Sequence, residues 1–581
     1  MHESTCPSYA PTSSGACSHY AEPGLCSKAV APICVNYLLN RPPLSCALDM
    51  CTGQDSHKAL ARKIASSARV ALHVRHVEVA GKGKIARICS LGFDDGAVQC
   101  VDPFDENSPD EVLQALAVPL IVGVNLKDAM IALASMLPKE PSLLLDLGLV
   151  SRALEAGRES TSHHLSALLQ RHLGIEENPV IGELRWTGLL TRVHVLAASK
   201  QVTHLLSLAD AMLEEVQLRG LQQVVDLEHR VLPVTVEMEV RGLPVNESLW
   251  FQTVGELEVT RLRVQRRLWH AEAKLDSIGA EQLRVEVNSM RHILGGFVQS
   301  VSTSLGKSDD ARVRGSLQQC GTVTGRYTCV DPPLLSMPKQ YGLRRCFEAP
   351  SNLVLLRADF SCFELRVAAA LSRDPTMLDI FQYGGDAHRL IAAYLLEKEP
   401  DEVTPDERRR IKPVSFGTIY GMTAGGLVEL ARNEYQVDMS LDEATEYQRA
   451  YFRRFAGLAR WREAIVADKA SISSTRLGRV RHWPPAYDRD GARLAFPVQA
   501  GAADVMKACV AALAGPLRLL DAAILLVVHD ELIVECASSV ASVVKVLLRE
   551  TMCATAARLF PEVSFAVNLS EGKSLGEQTH D

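Results

Sequence analysis

ILLVVHDELIVE, residues 524–535, sets a histidine, an aspartate and a glutamate inside an otherwise apolar run. The flanks read as two short β-strands, Ile524–Val528 and Leu532–Val534, with His529-Asp530-Glu531 at the tip of a tight hairpin. A carboxylate withdrawn from water costs several kcal/mol unless something positive sits beside it. Two adjacent acids here therefore mean a tip that simply reaches solvent, or a tip that meets a cation.

Two further stretches bear on that choice. In LVLLRADFSCFELRVAAALSRD, residues 353–374, an apolar strand ends at Asp359 and a short turn leads into a helix with Glu364 and Arg366. An aspartate at a strand's end is well placed to hold a divalent cation; it is also a common turn or helix-cap residue. In TPDERRRIKPVSFGTIYGMTAGGL, residues 404–427, Thr404, Pro405 and Glu407 make a capping-box start. Arg408, Lys412, Phe416 and Tyr420 then recur every four residues, along one slowly drifting helix face. Two cations followed by two aromatics suit a ligand with a polyphosphate end and a flat base end. A solvated basic turn running into a core stripe would give the same pattern.

The rest of the chain sets bounds. It has 581 residues, enough for three or four units with real cores, and is 47% hydrophobic and 23% charged, as in ordinary globular chains. No run approaches the roughly 18 consecutive apolar residues of a membrane span, so no membrane partner is expected. The net charge of −7 does not advertise nucleic-acid binding, yet Arg449–Arg481 carries nine Arg or Lys against two acids, Glu463 and Asp468. Fifteen cysteines, six of them in the first 51 residues, never take zinc-site spacing. That implies a reduced compartment rather than a disulfide framework. No secretory or Arg-rich targeting segment is evident; an intracellular site, mitochondrion or nucleus, is expected. Residues 1–40 are Ser/Pro/Cys/Gly-rich and read as unordered. From about 68 to 225 strands alternate with helices (RVALHVRHVEV, KIARICSLGF, AVQCVD, PLIVGV). A mainly helical stretch follows to about 310, and 297–316 reads as a loop or linker.

Taken together, the three motifs resemble the palm and fingers motifs of family A DNA polymerases, the bacterial DNA polymerase I class. DFSCFELR (359–366), the Arg408–Gly421 helix and Val528–Glu531 carry the likeness. TVTGRYTCVDPPLLSMP (322–338), GDAHRLIA (385–392) and PVQAGAADVMK (497–507) fit in the same order. The resemblance implies a multidomain α/β chain: a right-hand polymerase of palm, fingers and thumb, preceded by an RNase H-like exonuclease-fold domain. The implied boundaries are 41–225 for a degenerate 3′–5′ exonuclease-like domain, 226–320 for a shortened thumb and 321–581 for palm and fingers. It implies phosphoryl transfer from a deoxynucleoside triphosphate to a primer 3′-hydroxyl on primer–template DNA, in replication or repair and alongside replication or repair proteins. Two Mg²⁺ ions, for which Mn²⁺ can substitute, would be held by Asp359 and Asp530, with Glu531 beside them. Arg408, Lys412 and His388 would meet the triphosphate, and Phe416 and Tyr420 the base and sugar. Glu364 would exclude a ribose 2′-hydroxyl, Arg326 and Gln499 would feel the minor-groove side of the new pair, and His529 would contact the primer end. The Arg449–Arg481 excess would contact phosphates.

Departures from the family pattern carry expectations of their own. The exonuclease's D-x-E pair is replaced by His73 and Arg75; Asn125 remains, with its acid displaced onto Asp128 or missing. HVLAASK (194–200) lacks the last acid, and Glu78 and Asp146 do not rebuild a site. A proofreading-dead domain is expected, and no 5′-nuclease stretch is read ahead of it. Cys362, Ala495 and Val527 stand at or near places where polar residues are usual. Pro413 lies inside the fingers helix, where it should kink it. Two readings stand: an active polymerase, and a catalytically weak relative kept for binding primer–template or replisome proteins. The survival of Asp359, Asp530, Arg408 and Lys412 favours the first.

Overall fold

A computed structural model describes residues 49–576 and 579–580, apart from 52–53, 80–82, 105–109, 138–142, 160, 177–190, 275–276 and 383. The stretch 1–40, expected to be unordered, lies outside the described residues, as does the side chain of Glu78. The chain forms two compact units, one of Met1–Glu78, Lys84–Leu145 and His164–Ala211, the other of Val79–Gly83, Asp146–His163 and Met212–Asp581.

The first unit is built on six strands: β1 (Asp49–Met50), β2 (Arg69–Val79), β3 (Gly83–Gly92), β4 (Val98–Val101), β5 (Leu120–Gly123) and β6 (Leu144–Asp146). Their order is β1-β4-β3-β2-β5-β6, with β3 antiparallel to β4 and β2 parallel to β5. Val70, Leu72 and Val74 alternate into the core of β2, so His73 and Arg75 project from its other face. On that strand burial, then the charges of Arg75 and His76, push the His73 imidazole down to about 4. Lys84 on β3 pairs with Asp128 at 2.5 Å. Burial works to raise the Asp128 carboxyl, but the Lys84 hydrogen bond and charge override it and hold it below its ordinary value.

In the second unit, Asp146 caps the Leu147–Glu155 helix by accepting from Gly148 N at 2.8 Å. The Gln222–Arg241 helix leads to β7 (Leu243–Pro244), which pairs with β8 (Arg312–Val313). A helical hairpin, Glu247–Ala273 and Ser277–Ile293, rises between them. Its seam is Leu257, Val264 and Leu268 against Ala280, Val287 and Met290, a near-heptad spacing that lets antiparallel neighbours interlock. The expected loop at 297–316 is corrected: Leu294–Val298 is a π turn and Gln299–Leu305 an α-helix. Phe297, Val298, Val301 and Leu305 recur at helical spacing and are buried in the core that holds Trp250. The Ser/Gly-rich composition had masked that stripe.

Beyond β9 (Ser316–Gln318) and β10 (Thr328–Val330), β11 (Leu353–Phe360) forms the middle of a five-stranded sheet. A small hairpin follows, β12 (Ile472–Ser474) with β13 (Val480–His482). The sheet is completed by β14 (Ala523–Val528), β15 (Glu531–Ala537), β16 (Val567–Gly572) and β17 (Thr579–His580), in the order β14-β15-β11-β16-β17. The apolar runs of β11 and β14 are what a strand covered by helices requires. The Ala541–Leu559 helix packs on β11 and β16, and the Gln222–Arg241 and Asp490–Leu519 helices pack on β14. Asp490–Leu519 is long and apolar enough to cross a bilayer. Here it is a core helix, with Asp504 and Lys507 buried in ion pairs.

Candidate active site

The hairpin quoted first forms as the sequence implies, and register does the rest. β11 pairs antiparallel with β15 so that Asp359 lies opposite Glu531. Phe360 N donates to the Asp530 carbonyl at 3.1 Å, fixing the hairpin tip against the strand that bears Asp359. The tip turns through His529 in the left-handed region, φ 56°. Asp359 and Asp530 are thus brought to one end of the sheet. Glu531 is held sideways by the Arg357 guanidinium, whose Nη2 donates to it at 2.8 Å and whose Nε donates to its other oxygen.

Opposite the acids runs the Pro405–Ile419 helix, capped by Thr404 and Glu407 and continuous through Pro413. Its Arg408 pairs with Asp386, the N-cap of the Ala387–Leu396 helix. His388, on that helix, tilts its ring against Phe416 with centroids 5.6 Å apart. Lys412 has no carboxylate partner among the described residues. Its ammonium stands 5.9 Å from the Tyr435 ring, and its charge acts on Asp359, Cys362 and His388. The Tyr420 hydroxyl donates to Glu364, which also receives Arg326. Gln499 reaches the same hydroxyl from the Asp490–Leu519 helix. His529, Arg326, Tyr327 and Lys507 line one small cleft. All twelve residues singled out from the sequence therefore gather around the sheet end.

Sequence reasoning missed the partners that hold them. Arg357 and Asp386 sit inside quoted motifs, but nothing in a pattern says which acid or cation they face. It also missed a buried quartet beneath the Arg326 loop. Glu228 Oε1 accepts from Arg479 Nη2 at 2.6 Å and Lys507 Nζ at 2.5 Å, and Asp504 accepts from Arg479 Nε at 2.7 Å. Gly325, at φ +76°, lies so close that a Cβ there would sit 2.6 Å from the Arg479 guanidinium carbon. The expectation that the arginines between 449 and 481 contact phosphates is corrected for Arg479, which is buried. Arg476 pairs with Glu562 at 2.7 Å, and Arg454, Arg462 and Arg481 lie over Tyr394, Phe452 and Trp483. Part of this run of positive charge is spent on internal ion pairs and aromatic packing.

Comparison with known proteins bears on the family and the fold. The family described as DNA polymerase family A matches residues 272–577, just over half of the chain. The chain belongs to DNA polymerase family A. DNA polymerase I of Aquifex aeolicus (strain VF5) is 33% identical over 264 residues, 44% of this chain and 45% of that protein. DNA polymerase I of Mycobacterium tuberculosis (strain H37Rv) is 31% identical over 313 residues, 51% of this chain and 33% of that protein. The chain spans less than half the length of either relative. The fold is that of a solved structure, the POL domain of Pol1 from M. smegmatis in complex with DNA primer-template and dNTP. Its TM-score is 0.76 at 24% identity, over 89% of this chain and 97% of that one.

Family A polymerases use divalent cations, generally Mg²⁺, and the acids of this chain fit one. Burial, then the charges of Asp530 and Glu531, raise the Asp359 carboxyl to about 7. Burial, then the charges of Glu364 and Glu531, raise Asp530 to about 6. Such a pair ionises with difficulty until positive charge arrives. A pair of neighbouring carboxylates suits Mg²⁺, which is commonly held by one or two carboxylates together with substrate phosphates. A consequence for stability follows. A carboxyl with a folded pKa above its unfolded value of about 4 binds more protons folded than unfolded between those two values. In EDTA, the fold therefore loses stability as pH rises from about 4 to about 7. Asp359→Asn removes this effect, so it should raise Tm in EDTA more at about pH 8 than at about pH 5. Equal increments at both would show that Asp359 titrates as an ordinary acid.

Proposed function

We propose that this family A chain is a template-directed, DNA-dependent DNA polymerase that extends a primer 3′-end in DNA replication or repair. The observation that carries the reading is the meeting of Asp359 and Asp530 at one sheet end, facing the Arg408–Tyr420 ridge. Two divalent cations held by Asp359 and Asp530 would, when bound, activate the primer hydroxyl and stabilise the leaving pyrophosphate. The chain's own groups do the positioning that phosphoryl transfer mainly demands. Arg408, Lys412 and His388 receive the triphosphate, Phe416 covers the base, and His529 holds the primer end. Glu364, fixed between Tyr420 and Arg326, presents a wall beneath the sugar where a 2′-hydroxyl would fall. Arg326 and Gln499 face the minor-groove side of the nascent pair, while template pairing selects the base. Residues 321–581 serve as palm and fingers, and 226–320, with its helical hairpin, as the thumb.

The first unit, within 41–225, is read as an exonuclease-fold scaffold without proofreading activity. Its strand order around β2, with β5 parallel to it, supports the fold. His73 and Arg75 stand where metal-binding acids are needed, and the Lys84 ammonium already occupies Asp128. The test is one assay series on a 5′-labelled primer–template. Extension that follows the template with Mg²⁺ or Mn²⁺ is expected, and no shortening of a 3′-mismatched primer when nucleotides are withheld. A folded protein that extends nothing would end the polymerase reading; excision of the mismatch would end the scaffold reading.

A further inference from the structure

Cys362 stands between the tip of β11 and the Phe363–Ser372 helix, in a left-handed backbone with φ 51° and ψ 42°. Its Sγ is 3.6 Å from His388 Nε2. His388 is 6% exposed, and among the described residues its Nδ1 has no hydrogen-bond partner. Burial, then the charges of Lys412 and Arg408, push the imidazole down to about 4, and burial pushes the thiol up. At neutral pH both groups are therefore uncharged. A thiol is a weak donor and a weak acceptor, whereas a bare imidazole nitrogen accepts well. The favoured contact has the Cys362 S–H donating to Nε2, which leaves the ring proton on Nδ1. A buried N–H without an acceptor is costly. With the charges of Lys412 and Arg408 outweighing that of Asp386 on the same ring, the group that satisfies it is an anionic oxygen.

We propose that Cys362 is a positioning residue: it fixes His388 in the Nδ1–H tautomer, so that this nitrogen donates to a phosphate oxygen of the incoming nucleoside triphosphate. The nucleotide half of the statement rests on the polymerase reading above; the tautomer half does not. Cys362→Gly removes the donor and suits the left-handed backbone, and Cys362→Ser restores a donor.

The test has two arms on the full chain. In ¹⁵N-histidine NMR, with the His388 signal assigned by its loss in His388→Ala, the wild type and Cys362→Ser should show a protonated Nδ1 and a bare Nε2. Cys362→Gly should lose that bias. In primer extension, Cys362→Gly should raise the dNTP KM on the order of tenfold with little change in kcat. It should add nothing in the His388→Ala background, and Cys362→Ser should recover most of the loss. An Nε2–H tautomer in the wild type overturns the proposal, as do KM losses that multiply in the double variant. Failure of wild-type extension would count against the polymerase reading alone and leave the NMR result standing.

Discussion

Asp530→Ala is expected to remove primer extension, lowering kcat/KM on the order of 10³-fold or more. That equals about 4 kcal/mol of transition-state stabilisation at 1.36 kcal/mol per tenfold. The loss should come without unfolding. Asp530 is an acid held above its ordinary pKa by burial and by the charges of Glu364 and Glu531, so deleting it relieves repulsion rather than breaking a contact that supports the fold. Thermal melts should match the wild type or lie above it at neutral pH. Glu531→Gln should cost much less activity, because Glu531 is already committed to Arg357. Extension by Asp530→Ala within tenfold of the wild type would remove the hairpin acids from the chemistry.

Glu228→Ala has the largest effect expected on stability. One carboxylate, fully buried, receives Arg479, Lys507 and the Gln319 amide, the last at 2.7 Å. Burial alone would raise its pKa, but Lys507 and Arg479 override that and hold it low. Truncation leaves two cations buried with only Asp504 between them, a change that costs about 3–5 kcal/mol. Glu228→Gln, which keeps the shape and one acceptor, should lose less. Urea unfolding of the three proteins decides it; a loss below about 1 kcal/mol for alanine would mean that water reaches the network. Because Gly325 rests against Arg479, the same variant should also weaken primer–template binding through a displaced Arg326 loop.

How much of this was legible in the sequence depends on the kind of information each residue carries. The hairpin at 524–535 was readable because apolar strands with a polar tip have few other folds, and β14 and β15 extend the expected strands by only a few residues. The Arg408–Tyr420 ridge was readable because helical spacing is a local property. The helix at Gln299–Leu305 was not, since its serines resemble a linker until Trp250 supplies the core that Val301 and Leu305 join. The quartet of Glu228, Arg479, Asp504 and Lys507 was invisible for a deeper reason. Its members are up to 279 residues apart, and nothing in a local pattern pairs a charge with its counter-charge. Reading Arg479 as a phosphate contact was the natural error: sequence shows the sign of a charge, not the side of the surface on which it lies.

β15 has two ends with different duties. At its start Glu531 grips Arg357 beside the acid pair. Four residues on, and so on the same face, Glu535 is 1% exposed and grips Arg312 at 2.6 Å and Arg241 at 3.4 Å. Those two arginines flank the point where the chain leaves for the helical hairpin and where it returns. The strand therefore ties the base of the hairpin to one of its ends and adjoins the acid pair at the other. A load on the hairpin would meet Glu535 first, four residues along the strand from Glu531 and its register with Asp359.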